Sequence, residues 1–446
     1  MFGRLILIFY IYAQFMYPDF QYLLQNLFGT EMPEWLSIFK TFGFLVALSF
    51  LGAAWTLTQE LKRKESQGLL VPEFETIEVG HPASANELFW AAFLGFILGY
   101  KVGGFFGNAA TIAPNPMGYL FSLQGNVVIG IVGALLMAYS KYAEKKKDQL
   151  PEPKTKRVAT YPHQRIGEIV IIAAIGGLAG AKIFNAFETW DDFIANPAES
   201  LLSSSGLTFY GGLIVATAAL WWYARKHNIP FKHLCDAAAP GLILSYGLGR
   251  LGCHFAGDGD WGIFNSAYVT GADGHLHAAT MADFQQSVLE AGQYFRSNFG
   301  MHVPQKYAPA PGWLPDWMFA MNYAHNVNNE GIALAGCTGN YCAVLPAGVF
   351  PTPLYEFATC MILFAILWSL RKKLKYAWQM FGLYLIFNGI ERFFIEKIRV
   401  NYKYDWGFLH PTQAEIIAVV MVILGILLLV FAGKRKEEII TDTVKS

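Results

Sequence analysis

Residues 411–436 read PTQAEIIAVVMVILGILLLVFAGKRK, a run of about twenty residues dominated by Ile, Leu and Val and closed by Lys434, Arg435 and Lys436. A bilayer core of about 30 Å takes about 20 residues of helix to cross, and a cluster of cations just beyond such a run marks the cytoplasmic side. Working outward from this segment, eight more runs of similar character lie at 38–58, 87–107, 120–141, 165–188, 208–224, 237–255, 353–371 and 377–397. Each is bounded by charge or by Gly, Pro and Asn clusters, and each mixes its apolar residues with the Gly, Ala and Ser that let membrane helices approach closely. The chain therefore reads as an all-α polytopic membrane protein of about nine transmembrane helices. Its composition agrees: of 446 residues 54% are hydrophobic and 15% charged, where a soluble chain carries about 25% charge.

The 33 basic residues balance the 33 acidic ones, which sets aside nucleic acid as a partner, because tracking a phosphate backbone needs a basic excess. Five cysteines are too few for a disulfide scaffold, although Cys337 and Cys342 are spaced to staple one loop in an oxidising compartment. Lys/Arg asymmetry sets the orientation. The segments beginning at Leu61, Lys141, Arg225, Arg371 and Lys434 hold 22 of the 33 basic residues, whereas the opposite side holds only Arg296, Lys306, Arg399 and Lys403. This divides the chain into an N-terminal interfacial segment at 1–37, a bundle at 38–255, an outer head at 256–352, C-terminal membrane helices at 353–433 and a cytoplasmic tail at 434–446. The apolar stretch from Phe2 to about Tyr17 is followed by no small-residue cleavage site and reads as an uncleaved interfacial or short helix.

Residues 87–145 align with 168–226 at a constant offset of 81, without gaps. Matching pairs include Glu87/Glu168, Gly95/Gly176, Gly99/Gly180, Lys101/Lys182, Asn115/Asn196, Pro116/Pro197, Gly125/Gly206 and Gly130/Gly211. Each copy holds two spans, so both copies share one orientation: a parallel tandem repeat of a helical hairpin, unlike the inverted repeats of many transporters.

A charge inside a span is costly and faces a bundle interior or a cavity, so its depth is informative. Arg250 and Arg392 lie five residues before the outer ends of their spans, and Lys101 and Lys182 six before theirs. At a rise of about 1.5 Å per residue all four fall ~8–9 Å inside the outer boundary. Tyr210 and Glu356 stand at the outer mouths of inward-running helices. Asn388, Arg392 and Glu396 recur every four residues on one helix face, and Arg399 nearly continues that stripe. A cationic layer at headgroup depth suits a phospholipid phosphate, which guanidinium forks bind bidentately. Lys101 and Lys182 read instead as snorkelling or structural groups.

Four motifs lie in order on the outer side of the spans: Gly-Leu-Thr-Phe-Tyr-Gly-Gly-Leu at 206–213, Gly-Arg-Leu-Gly-Cys-His-Phe-Ala-Gly-Asp-Gly-Asp-Trp-Gly at 249–262, Pro-Thr-Pro-Leu-Tyr-Glu at 351–356, and Asn-Gly-Ile-Glu-Arg-Phe-Phe-Ile-Glu at 388–396. This set resembles the prolipoprotein diacylglyceryl transferase family over the span at 38–58 and nearly everything from about 160 to 433. The pair of spans at 87–141 falls outside the family's usual core. The resemblance implies an integral enzyme of the bacterial cytoplasmic (inner) membrane, its active site toward the outer leaflet. Such an enzyme moves the diacylglyceryl group of phosphatidylglycerol to the lipobox cysteine of a prolipoprotein signal peptide, the first step of lipoprotein maturation.

Arg250 matches the family's essential arginine, and Arg392 with Glu396 match the pair on its penultimate helix. Several positions depart from the pattern. Tyr210 stands for a histidine, Cys253 for an asparagine, Phe42 for a polar aromatic and Asn388 for a tyrosine. Asp258 or Asp260 replaces an acidic residue in a loop one residue longer. The implied catalytic set is Arg250, Arg392, Glu396, Tyr210, Asp258 and Asp260. Arg250, Arg392, Gly211, Gly212, Asn388 and Glu356 bind the phospholipid. No cofactor is implied and no metal, since His254 and His410 belong to no ligand-spaced cluster and the Asp258-Gly259-Asp260 turn lacks the remaining oxygens of a calcium loop. Two other readings stand beside this one, a catalytically impaired lipid-binding paralogue and an anion transporter. The Asn-rich stretch around 322–330 reads as either a cap over the site or a solvated loop.

Overall fold

The computed structural model describes residues 16–108, 112, 119, 122–202, 206, 208–300, 302–401, 403–405, 407 and 409–432. The expected N-terminal helix up to residue 15, the tail at 434–446 and the repeat pair members Asn115 and Pro116 lie outside the described residues.

All nine apolar runs fall on helices. In chain order, α1 (Phe20–Phe28) precedes α2 (Thr41–Ser66), α3 (Ala85–Gly107), α4 (Val127–Lys147), α5 (Ile166–Glu188), α6 (Phe209–Lys226) and α7 (Phe231–Ala256). The head carries α8 (Met281–Glu290) and α9 (Gly292–Phe299), and α10 (Thr352–Leu370), α11 (Gln379–Glu396) and α12 (Gln413–Ala432) follow. Among the described residues six helices are long and apolar enough to cross a membrane: α2, α3, α4, α5 with its preceding turn from Pro162, α10 and α12. The other three are more polar for identifiable reasons. Helix α6 ends in Arg225 and Lys226, α7 carries His233, Asp236, Arg250 and His254, and α11 carries Asn388, Glu391, Arg392 and Glu396.

The described residues divide into two compact units, one of 33–38 and 61–234, the other of 16–32, 39–60 and 235–432. The first unit holds the repeated hairpins. Glycine brings each helix pair together: a Cβ on Gly95 would lie 2.8 Å from the carbonyl carbon of Gly133, and one on Gly212 would lie 2.8 Å from the carbonyl oxygen of Gly177. The two intramembrane lysines act alike. Lys101 Nζ donates to the carbonyls of Tyr119 (2.8 Å), Ser122 (2.5 Å) and Gln124 (3.0 Å), and Lys182 Nζ donates to Ser200 O at 3.1 Å. Tyr119 and Ser200 are themselves 81 residues apart, so the same lysine ties down the same carbonyl in both copies. Each ammonium is thereby paired with backbone carbonyls rather than left bare, as a low-dielectric setting demands.

The charged connections flanking the first hairpin, counted above only for orientation, are not irregular. Instead β1 (Glu73–Val79) and β2 (Lys154–Thr160) pair antiparallel from Glu73↔Thr160 to Val79↔Lys154, so a two-stranded ribbon closes the base of the α3–α4 hairpin. Arg165, 8% exposed, sits beside it and bridges Glu73 at 2.8 Å, Glu75, and Glu168 at 3.5 Å, while His227 Nδ1 lies 2.9 Å from Glu73.

In the second unit α7, α10 and α11 share an apolar core of Ala239, Ile243, Cys360, Leu367 and Met380. Asp236 of α7 accepts the backbone N–H groups of Trp378 (2.8 Å) and Phe381 (2.9 Å), capping the start of α11 and fixing the level at which its later residues stand. Helix α12 packs against α11, where Cβ atoms on Gly382 and Gly389 would lie 3.0 Å from Gly425 O and 2.7 Å from Ala418 O. The head folds on a small sheet in which β3 (Phe264–Thr270) pairs with β4 (Leu276–Ala278), β5 (Gln305–Lys306) and β8 (Ala347–Val349). It covers a core of Phe264, Phe284, Phe295, Leu345 and Val349. A second pair, β6 (Ile332–Ala333) with β7 (Ala343–Val344), frames a loop closed by a disulfide between Cys337 and Cys342, as the sequence leads one to expect.

Candidate active site

Glu356, fully buried in the first turns of α10, is the centre of a charged cluster. It accepts the hydroxyl of Tyr246 at 2.5 Å and Nη1 of Arg399 at 3.2 Å, forms an ion pair with Nε of Arg250 at 2.6 Å, and has Nη1 of Arg392 4.0 Å away. Tyr246 and Arg250 are one turn apart on α7, and the guanidinium lies 5.4 Å from the tyrosine ring centroid. Asp260, in the turn that follows α7, is the second anionic node. Its carboxylate pairs with Arg250 and takes Nη2 of Arg399 at 2.7 Å, and its carbonyl accepts Thr352 Oγ1 at 3.0 Å. Arg392 Nη2 pairs with Glu396 at 3.1 Å, and Glu396 also accepts Asn401 Nδ2 at 2.6 Å.

Three guanidiniums thus face three carboxylates. Each of these three carboxylates has a cationic partner, as burial of charge requires, but the hydrogen bonding is incomplete: Nη1 of Arg392, Nε of Arg399 and Oε2 of Glu396 are buried and make no hydrogen bond within the described structure. Both oxygens of Glu391, next to Arg392 on α11, are in the same condition.

The turn at 257–260 sets the electrostatics at the edge of the cluster. Burial alone would push the Asp260 carboxyl up, but Arg250 and then Arg399 reverse this and hold it below the usual carboxylate range. At Asp258 the balance is reversed: burial and the adjacent Asp260 push it up by more than the hydrogen bond from the Cys253 thiol and the charge of Arg250 pull it down. Donor atoms of Cys253, Asp258 and Asp260 come within 4.8 Å of one another, a spacing a cation could use. The two guanidiniums on Asp260 place positive charge in the same space.

Of the residues singled out by sequence, Arg250, Glu356, Arg392, Glu396, Asp258 and Asp260 come together in one unit. Asn388 is half-buried one turn before Arg392 on α11, and Phe42 packs against Gly252 of α7, whose Cβ would lie 3.1 Å from the ring. Tyr210, Gly211 and Gly212 belong to the other unit, where Tyr210 is half-buried in the first turn of α6. There both glycines are buried against α5, Gly211 facing Phe184 and Gly212 facing Gly177, which is the packing role of small residues between membrane helices. One member of the cluster, Tyr246, was not singled out, and Arg399 was noted only as nearly continuing the stripe on α11. Tyr246 lies four residues before Arg250 on the same helical face, a spacing that gives it away. Arg399 comes in through the chain after α11, where Ile263 N donates to Ile398 O at 2.8 Å and Gly262 bridges Arg399.

Residues 126–431 match the family model described as prolipoprotein diacylglyceryl transferase. The matched stretch takes in α4, which the motif resemblance placed outside the family core, and leaves out the span at 38–58. Among curated relatives, the phosphatidylglycerol–prolipoprotein diacylglyceryl transferase of Dehalococcoides mccartyi is 23% identical over 283 residues, covering 64% of this chain and 83% of its own. The protein of the same name from Chlorobaculum tepidum is 26% identical over 337 residues, covering 72% of this chain and 91% of its own. That from Xanthomonas axonopodis pv. citri is 27% identical over 270 residues, with coverages of 58% and 72%. With more than two thirds of its length matched in this way, the chain belongs to the prolipoprotein diacylglyceryl transferase family.

Proposed function

We propose that this chain transfers the diacylglyceryl group of phosphatidylglycerol to the lipobox cysteine of a prolipoprotein signal peptide. In the reaction the cysteine sulfur forms a bond to a glycerol carbon, the bond from that carbon to the phosphate oxygen breaks, glycerol phosphate leaves and the thiol proton passes to a base. Negative charge builds on the departing phosphate, so donors fixed beside it act where the transition state needs them. The observation that carries this reading is the pair of buried guanidinium nitrogens, Nη1 of Arg392 and Nε of Arg399, that make no hydrogen bond within the described structure, set in a cluster where Glu396 pairs with Nη2 of Arg392 while Glu356 and Asp260 hold Arg399. Arg250, engaged by both Glu356 and Asp260, orients that cluster and adds its charge.

For the base, Asp258 is best placed among the carboxylates: Asp260 is committed to two arginines and Glu396 to Arg392 and Asn401, whereas Asp258 faces a thiol and is raised toward the working pH. Asn388, one turn before Arg392, is retained as a phospholipid contact, and a role for Tyr210, Gly211 and Gly212 rests on the motif at 206–213 alone. The proposed topology has nine spans, the head and active site facing the outer leaflet and the C-terminus in the cytoplasm, as the Lys/Arg asymmetry indicates. The test is transfer of labelled diacylglyceryl from phosphatidylglycerol to a lipobox peptide by the purified chain, run beside Arg250→Ala. Label on the peptide cysteine that vanishes in the variant supports the assignment. Bound phosphatidylglycerol without transfer would make the chain a lipid-binding paralogue, with Tyr210, Cys253 and Asn388 as the lost chemistry.

A further inference from the structure

The Asn-rich segment of the head reaches the active-site turn directly. Asn328 Nδ2 donates to the carbonyl of Asp258 at 2.9 Å, and Val327 N donates to Ala256 O at 2.9 Å. A Cβ on Gly257 would lie 2.9 Å from that of Asn326, so the segment lies flush on the turn. Its backbone is held in an unfavourable shape: Tyr323, His325 and Asn329 all have positive φ, at 44°, 63° and 51°. Residues other than glycine keep such angles only where their surroundings over-determine them. Part of that constraint is internal, since Asn326 Nδ2 donates to Tyr323 O (3.1 Å) and Glu330 O (2.9 Å). The rest comes from the loop that Cys337 and Cys342 close. Asn329, adjacent to Asn328, donates to Asn340 O at 2.7 Å and accepts Cys342 N at 2.9 Å, and His325 Nδ1 lies 2.7 Å from Tyr341 O.

The far side of the disulfide loop is also anchored. Tyr341 hydroxyl donates to the buried Asp19 at 2.6 Å and receives Lys40 Nζ at 2.8 Å. The loop is therefore clamped to the N-terminal part of its unit on one side and, through Asn329 and Asn328, to the turn bearing Asp258 and Asp260 on the other.

We infer that Asn328 is a positioning residue for the Asp258–Asp260 turn, that the Cys337–Cys342 disulfide holds Asn328 in place, and that the protein's activity therefore depends on the redox state of this cysteine pair. Opening the disulfide frees residues 338–341, loosens both hydrogen bonds to Asn329 and lets the strained segment relax away from Asp258. Asp260 then no longer holds Arg250 and Arg399 at their present separation. The consequence for catalysis rests on the transferase reading; the mechanical coupling does not.

The test uses the full-length oxidised protein in detergent, with and without dithiothreitol, followed by reoxidation. Reduction is expected to lower kcat for labelled diacylglyceryl transfer about five- to tenfold, the scale of one or two lost hydrogen bonds, with less than a twofold change in KM for phosphatidylglycerol, and reoxidation restores it. Asn328→Ala in the oxidised protein reproduces the loss, Asn328→Gln recovers part of it by keeping the amide donor, and the double variant Cys337→Ser/Cys342→Ser is slow and indifferent to reductant. Backbone hydrogen exchange over residues 256–263 gives a readout that needs no activity, and it rises on reduction. An unchanged kcat with the disulfide shown to be open overturns the link to activity, and unchanged exchange over 256–263 overturns the coupling itself. Labelling of both cysteines in the unreduced protein overturns the inference at its first step. Oxidised wild-type protein that transfers nothing counts against the transferase assignment, and the exchange measurement still decides the coupling.

Discussion

Replacing Arg392 by Gln separates a phosphate clamp from a structural ion pair. In the structure Arg392 divides its guanidinium: Nη2 holds Glu396 at 3.1 Å, while the buried Nη1 stands 4.0 Å from Glu356 with no hydrogen bond. Glu396 keeps Asn401 Nδ2 at 2.6 Å when the arginine is removed, so the variant leaves a buried carboxylate with one partner fewer. That costs about 1–3 kcal/mol of stability. The catalytic cost is larger. A charged donor aimed at charge that develops in the transition state is worth about 10²–10³ in rate. Transfer of labelled diacylglyceryl to a lipobox peptide, with kcat and KM determined separately, should therefore show a loss of that size carried mainly by kcat. Arg392→Lys keeps the charge but not the fork and should fall between. Arg250→Gln differs in kind, because it strips partners from both Glu356 and Asp260 and should cost about 3–5 kcal/mol of stability as well as activity. An Arg392→Gln protein within fivefold of wild type would refute the assignment of its Nη1 to the leaving phosphate.

Lys101→Met should lower the thermal midpoint by removing the donor to three loop carbonyls, yet leave transfer within twofold; loss of transfer at unchanged stability would contradict its structural role. Gly95→Val should pry α3 from α4, since even a Cβ there meets the Gly133 backbone, and proteolysis between the two helices should accelerate. Asp260 has a depressed folded-state pKa. Its contribution to stability is therefore present above the ordinary carboxylate value of about 3.9 and is lost as pH falls through the folded value. Thermal unfolding between pH 6 and pH 3 should show this acid-side loss in wild type and less of it in Asp260→Asn; parallel losses in both would exclude Asp260 as its source.

Hydrophobic runs carried the helices, because a membrane leaves the backbone few alternatives to satisfying itself. The intramembrane charges carried much of the site: an arginine in an apolar span has to face something, and Arg250 and Arg392 face the same glutamate. Arg399 was harder to place, because its position depends on how the chain leaves α11 and bridges to Gly262, more than a hundred residues away in sequence. The β1–β2 ribbon was missed for a related reason. Its strands are 75 residues apart at their near ends and look like charged loops, although the acidic Glu73, Glu75 and Glu78 of one complement the basic Lys154, Lys156 and Arg157 of the other. Gly211 and Gly212 show the reverse error of emphasis, a motif read for its ligand that is also occupied with helix packing.

The ribbon sets how the first hairpin is joined to the rest of the chain. Because Val79 pairs with Lys154, everything between them leaves and returns through two adjacent backbone positions. A segment held at such a place can be lengthened or shortened without changing the direction in which the chain enters and leaves it. The same geometry makes the hairpin removable at the bench: deleting residues 80–153 and joining the paired ends with an Asn-Gly turn asks the backbone for an ordinary β-hairpin, and shows whether α4, inside the family match, is needed for transfer.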